Sequence, residues 1–279
     1  MADVRKGDSG VVAARKALPG IGLLFRIKPV VWQGLASFLV AAIGWELIAR
    51  YVVDNPLFFT SLVDIAERAV ALWRTGELQE HIWISFIEFA GGFLLAAVIG
   101  ILAGVGMAAS SNARGFFDPW VSMLYATPTL ALAPLFILWM GIGVVSKIAV
   151  IFLTAIFPIL INTLVGLTTT DRTLIDVARS LGATPQQIYR KVRMPSALPF
   201  IIAGLRVSVA RALVGVVVAE LFGARAGLGF LIINSAQSFD TAAVFVGVII
   251  LAVAGVVSVA ALKWLERTMA PWRFENADD

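Results

Sequence analysis

DRTLIDVARSLGATPQQIYRKVRMPSALPFIIAG, running from Asp171 to Gly204, is the longest polar interval between the apolar blocks of the second half of the chain. Helix-start and helix-stop signals punctuate it at close intervals. Thr173-Leu174-Ile175-Asp176 has the form of a capping box, a hydroxyl and an acid three residues apart, and predicts a short helix. Gly182 can close that helix in a left-handed conformation, where a side chain would clash. Thr184-Pro185-Gln186-Gln187 predicts a second start, with threonine as N-cap, proline at the first helical position and glutamine reaching back. Met194-Pro195 and Leu198-Pro199 predict its end, because a proline pushes the preceding residue out of the helical region. The product is two short helices at an angle, bearing Arg172, Arg179, Arg190, Lys191 and Arg193. Between apolar blocks, they form a knob on which another protein can dock.

The chain around this interval is greasy. Of its 279 residues 59% are hydrophobic and 14% charged, against about 25% charged in soluble domains. A mean hydropathy of +0.91 places it among integral membrane proteins. With no cysteine, disulfides, thiolate metal sites and cysteine nucleophiles are excluded. The net charge of +4 does not point to nucleic acid, because the basic residues cluster beside apolar spans, where they orient a chain in a membrane.

The expected fold is therefore an all-α polytopic membrane protein. Residues 1–29 read as a cytoplasmic tail, since the apolar run that follows is long enough to span and no small-residue cleavage site succeeds it. Residues 30–265 hold six predicted spans, at about 30–53, 84–108, 118–140, 144–167, 199–222 and 241–265. Residues 57–75 are amphipathic and predict a helix lying at the outer interface or packed on the surface. Residues 223–240 are too short and broken to cross, which suits a segment that dips in and returns. Residues 266–279 form a closing tail.

In span 2, Gly92, Ala96, Gly100, Gly104 and Ala108 recur every fourth residue and let another helix approach closely. Glu88, near its outer end, either snorkels or is paired. His81 is the only histidine, so it offers no metal site. Pro128 and Pro134 break span 3, which is tolerated where backbone is covered by protein or lines a wet cavity. The N-terminal tail, the 110–117 loop, the Asp171–Gly204 interval and the C-terminus are rich in Lys and Arg. The opposite loops hold only Arg68, Arg74, Lys147 and Arg225. Both termini and the docking knob are thus expected on the cytoplasmic side.

At this point the chain resembles the membrane subunits of bacterial ATP-binding-cassette importers that work with a separate binding protein. Their cytoplasmic Glu-Ala-Ala-x3-Gly-x9-Ile-x-Leu-Pro loop reads here as Asp176-Val177-Ala178, Gly182 and Val192-Arg193-Met194-Pro195 at the same spacing. Asp stands for Glu and Val for the first Ala, which leaves the helix, the turn and the apolar face intact. Within that superfamily it is similar to taurine, aliphatic sulfonate and nitrate permeases. The matching stretches include Gly76-x-Leu78-x2-His81-x3-Ser85, Asp118-Pro119, Pro128-x2-Ala131-x2-Pro134, Ser146-Lys147, Ala219-Glu220, Gly227-Leu228-Gly229 and Pro271-Trp272. Those relatives often carry Arg where this chain has Glu88.

The resemblance implies a type I importer permease fold in the bacterial inner membrane. It also implies two such subunits, often identical, two cytoplasmic ATPase subunits and a periplasmic or lipid-anchored solute-binding protein. Asp176, Val177, Ala178, Arg179, Leu181, Gly182, Ala183 and Thr184 are the expected ATPase-coupling residues, with Leu174, Ile175, Ala178 and Leu181 as the apolar face. No Gly-x4-Gly-Lys-Ser/Thr loop occurs, so ATP and Mg are expected on the partner ATPase and no cofactor in this chain.

For the pathway, Pro128, Pro134, Asn162, Arg211 and Glu220 are the candidates. A charge at mid-bilayer costs roughly 2.5–3.5 kcal/mol on insertion scales and needs a partner or a wet cavity. Arg206, Arg211 and Glu220 cannot pair along their shared helix, so each seeks a partner elsewhere or lines the pathway. Arg211 is the candidate for touching an anion. An ion-coupled secondary transporter is the first rival reading, and it leaves the docking knob without a task. A membrane-embedded enzyme is the second, and close carboxylate pairs within the spans are not expected.

Overall fold

The computed structural model describes residues 29–53, 55 and 57–273. Residues 1–28 of the expected tail and 274–279 of the expected C-terminal tail lie outside them. Eleven α-helices follow one another among the described residues: α1 Pro29–Tyr51, α2 Leu62–Thr75, α3 Glu77–Ala109, α4 Ser111–Ala126, α5 Ala133–Met140, α6 Val144–Thr168, α7 Arg172–Ser180, α8 Pro185–Ile188, α9 Met194–Leu221, α10 Leu228–Gln237 and α11 Thr241–Met269.

Packing radiates from α6, which lies along both α3 and α9. The small-residue stripe of α3 is its seam with α6. A Cβ on Gly104 would stand 2.7 Å from Thr163 Cβ and 2.8 Å from the Leu160 carbonyl, and one on Gly100 would stand 3.1 Å from Ile159 Cβ. Glycine permits the backbones to meet, and dispersion between them replaces a hydrophobic drive that lipid cannot supply. Gly204 and Gly215 of α9 do the same against Pro158–Asn162 and Ile151–Thr154 of α6. Ser208 donates to the Ala155 carbonyl across that seam at 2.7 Å.

These contacts also set direction. Along α3 and α6 the touching residues ascend together, from Gly92 with Ile151 to Gly104 with Thr163, so the two helices are parallel. The chain between them must return the full height of the bundle. It does so through α4 and α5, which meet at an 83° bend around a 3-10 turn at Thr129–Leu132. Five helices are long and apolar enough to cross a membrane and the bent pair makes the sixth, as the composition predicted. Pro128 sits at the bend and Pro134 in the first turn of α5, where a missing N–H costs nothing.

Differences from the predicted boundaries have local causes. The interfacial segment becomes helical only at Leu62, where Ser61 and Asp64 form a reciprocal capping box. Hydrogen bonds, foremost from the Ser61 hydroxyl, hold the Asp64 carboxyl below the usual carboxylate range. This helix is packed, burying Ile65 and Leu72 against Leu228, Leu231 and Val246. Arg68 reaches Asp240 at 2.8 Å. In the docking interval the N-cap of α7 is Asp171, which accepts from the Thr173 N–H at 2.8 Å, two residues ahead of the predicted Thr173 box. Met194-Pro195 does not end the second helix. A π turn at Tyr189–Arg193 joins α8 to α9, and its wider ring lets the chain run on with Pro195 in the first turn of α9.

Candidate functional site

Three places carry polar chemistry. The first lies buried at the end of the bundle away from α7 and α8. Glu88 of α3 is 0% exposed, and Lys147 of α6 reaches it at 2.8 Å. Lys147, expected in a solvated loop, is therefore a core group. Glu220 at the end of α9 is also buried. Ser85 donates to its Oε1 at 2.5 Å, and the Gly229 N–H donates to its Oε2 at 2.5 Å.

Ser85 Oγ in turn accepts from the Leu228 N–H at 2.7 Å, and His81 Nδ1 from the Gly227 N–H at 2.9 Å. The first turn of α10, whose amides have no partners within the helix, is thus capped entirely by side chains of α3 and α9. Gly227, at φ 132°, and Gly229 allow the approach, because a Cβ on either would run into the Glu220 carboxyl.

Electrostatics balance across this brace. Lys147 answers Glu88, and the partial positive charge at the α10 N-terminus answers Glu220. The two carboxyl groups are electrostatic neighbours, so two acids do approach each other inside the spans, contrary to the sequence expectation, and Glu88 Oε2 has no hydrogen-bond partner among the described residues. Glu88 is paired and does not snorkel. Arg206 likewise finds its partner on another helix, Glu266 of α11.

The second place is the knob. The left-handed Gly182, at φ 77°, follows α7. Its N–H bonds to the Arg179 carbonyl at 2.9 Å and the Ala183 N–H to the Ala178 carbonyl at 3.0 Å, a Schellman closure. Thr184 then caps α8 in a reciprocal box with Gln187. Ile175 and Ile188 turn inward and are buried, so Ile175 anchors the knob and is not on its outer face. Leu174, Val177 and Leu181 are 52%, 53% and 82% exposed. Asp176 and Arg179 pair at 3.3 Å on the surface and beside them.

At mid-height is the third place. Arg211 of α9 is exposed. Its guanidinium stands 5.0 Å from the centre of the Tyr125 ring and donates to the Tyr125 hydroxyl at 3.1 Å.

The all-helical, multi-pass body agrees with what comparison with known proteins finds. Residues 96–271 match the family described as binding-protein-dependent transport system inner membrane component. The chain belongs to this family.

Relatives of this permease include the putative aliphatic sulfonates transport permease protein SsuC of Bacillus subtilis (strain 168), 40% identical over 86% of this chain and 87% of the relative. The formylaminopyrimidine transport permease protein ThiX of Halalkalibacterium halodurans is 34% identical over 85% and 94%. The taurine transport system permease protein TauC of Escherichia coli (strain K12) is 30% identical over 86% and 90%. Among solved structures, the MetNI methionine ABC transporter in an inward-facing conformation matches with a TM-score of 0.60 and 20% identity, covering 70% of this chain and 97% of that one. The architecture is that of an ABC importer permease.

Of the predicted pathway residues in this permease, Pro128 and Arg211 are exposed, Pro134 starts α5, and Asn162 donates to the Pro158 carbonyl at 2.8 Å beside Gly204. Glu220 is in the brace, away from Arg211. Sequence reasoning missed Tyr125 altogether. It recorded Ser85, Ser146-Lys147 and Gly227-Leu228-Gly229 only as scattered matches, although all but Ser146 meet in the brace.

Proposed function

We propose that this chain is the transmembrane subunit of an ATP-driven importer in the bacterial inner membrane, carrying a small anion of the sulfonate class. Two copies would enclose the pathway, two cytoplasmic ATPase subunits would dock on α7 and α8, and a solute-binding protein would deliver cargo on the opposite side. ATP and Mg belong to the ATPase subunits in this reading.

The observation that carries it is the knob. Leu174, Val177 and Leu181 stand out on a helix whose neighbours are charged, and an apolar group at a polar end of a membrane protein marks a surface that a partner covers. Asp176 and Arg179 lie where a rim would steer that partner. Ile175, Ile188 and the π turn tie the knob to α9, so movement imposed on it is passed to the spans. The sulfonate class is supported by the relatives SsuC, a putative aliphatic sulfonates permease, and TauC, a taurine permease. For an ion-coupled secondary transporter the two buried acids are already in use, Glu220 in holding the first turn of α10 and Glu88 in pairing through Oε1 with Lys147.

Gly182→Val tests this directly. No atom lies within 4 Å of a Cβ at this position, so the substitution adds no clash. A left-handed non-glycine residue costs about 1–3 kcal/mol, and the exit from α7 changes direction instead. Taurine uptake and co-purification of the ATPase are expected to fall to background, with normal insertion in the membrane. Wild-type levels of co-purified ATPase would refute docking through α7.

A further inference from the structure

Among the described residues, charges about ten or more residues from either end of their helix are answered within the chain, with one exception; Lys263, by contrast, lies within two turns of the end of α11. Glu46 pairs with Arg50, Glu88 with Lys147 and Arg206 with Glu266, and Glu220 caps α10. Arg211 has no carboxylate partner among the described residues, only the Tyr125 hydroxyl and ring. Its depth is that of the bilayer centre. It lies about 15 Å from the Leu221 end of α9 and about 25 Å from the Met194 end, at 1.5 Å per residue. Tyr125 is about 21 Å along α4, at the same level. A guanidinium there cannot face lipid without heavy cost, and it settles in a wet cavity or against an anion.

A second, independent observation leaves the same face open on this chain. Tyr125 stands two residues before Thr127, where α4 ends and the chain bends by 83°. Backbone broken at membrane depth persists only where it is covered by protein or lines a water-filled cavity. Tyr125 is 42% exposed, so in this chain the face is uncovered. The arrangement presents a planar cation lying over a ring and hydrogen-bonded to its phenol. A guanidinium offers paired N–H donors to two oxygens of one oxyanion, and the phenol can turn its O–H toward a third.

Resting on the importer reading, we infer that Arg211 and Tyr125 form the anion-selecting point of the pathway. Cargo bearing a sulfonate or similar oxyanion headgroup passes there, and cations are turned away.

The lack of cysteine makes this testable without transport. Ala126→Cys places the only thiol next to Tyr125, on an exposed residue. Two methanethiosulfonates of similar size, one ending in a sulfonate and one in a quaternary ammonium, are applied to the assembled complex in proteoliposomes, with and without ATP. The ratio of anionic to cationic modification rates reads the local potential. It is expected to fall about tenfold or more when Arg211→Gln is added, as loss of a nearby unscreened charge requires, and to hold in Arg211→Lys. Taurine should slow the reaction in the Arg211 parent only, and Tyr125→Phe should raise the KM for taurine uptake with little change in maximal rate.

An unchanged ratio in Arg211→Gln would overturn the inference, since the charge would then already be paired, for example by a second copy. A thiol unreactive to both reagents in every state would overturn it equally, because the face would be dry. If the ratio falls but the complex carries no taurine, the anion site stands and the sulfonate reading fails.

Discussion

Lys147 holds a charge that water barely reaches, and its worth lies in what its absence would leave behind. Removing one partner of a buried pair strands the other, at about 3–5 kcal/mol, whereas replacing both by apolar groups of similar size is often neutral. Lys147→Met is therefore expected to lower thermal stability in detergent sharply. Adding Glu88→Met should recover most of the loss. A Lys147→Met protein as stable as its parent would show that Glu88 does not depend on it. Sequence alone presented Glu88 with two options and counted Lys147 among loop residues. Yet the predicted span from about 144 already held Lys147; what hydropathy could not tell is that the packing of α3 along α6 sets it opposite Glu88.

At the scale of elements, the α3 stripe makes a graded prediction. Gly104→Val would drive a Cβ into Thr163 and the Leu160 carbonyl, and overpacking of this kind costs about 1–3 kcal/mol. Gly106, two residues on, has nothing within 4 Å of a Cβ, so Gly106→Val should leave the melting temperature nearly unchanged. Equal losses in the two would mean that glycine serves the helix for some reason other than the α6 seam. The stripe itself was legible, because fourfold spacing of small residues needs no tertiary knowledge. Its partner was not legible, and neither was the continuity of α8 with α9. A single π turn at Tyr189–Arg193 undid a proline stop that local rules predict firmly.

For the whole molecule, parallel α3 and α6 require the bent α4–α5 pair to traverse the full height. The knob and the α10 end must then lie on opposite sides of the membrane. Leu181→Cys and Phe239→Cys place single thiols on exposed residues at the two ends. In cells, an impermeant maleimide should label the Phe239→Cys protein from outside. The Leu181→Cys protein should react only after the inner face is opened and the ATPase removed. Labelling of both from one side would sink the six-crossing topology. Both thiols report on the fold without touching the brace or Arg211.

Composition and block length were enough to yield a six-pass helical membrane protein, because burial in lipid tests each segment almost independently; the permease reading came from the resemblance. The knob was equally plain, being built from caps and a glycine that act within a few residues of one another. Which charge meets which could be decided only by the tertiary structure. His81, Ser85, Glu88, Lys147, Glu220 and Gly227 are spread over most of the chain, and they meet because α3, α6 and α9 bring one end of each to the same depth. Arg211 shows the converse: only when the other deeply placed charges, Glu88 and Arg206, had found their partners inside the fold did the one left facing outward stand apart.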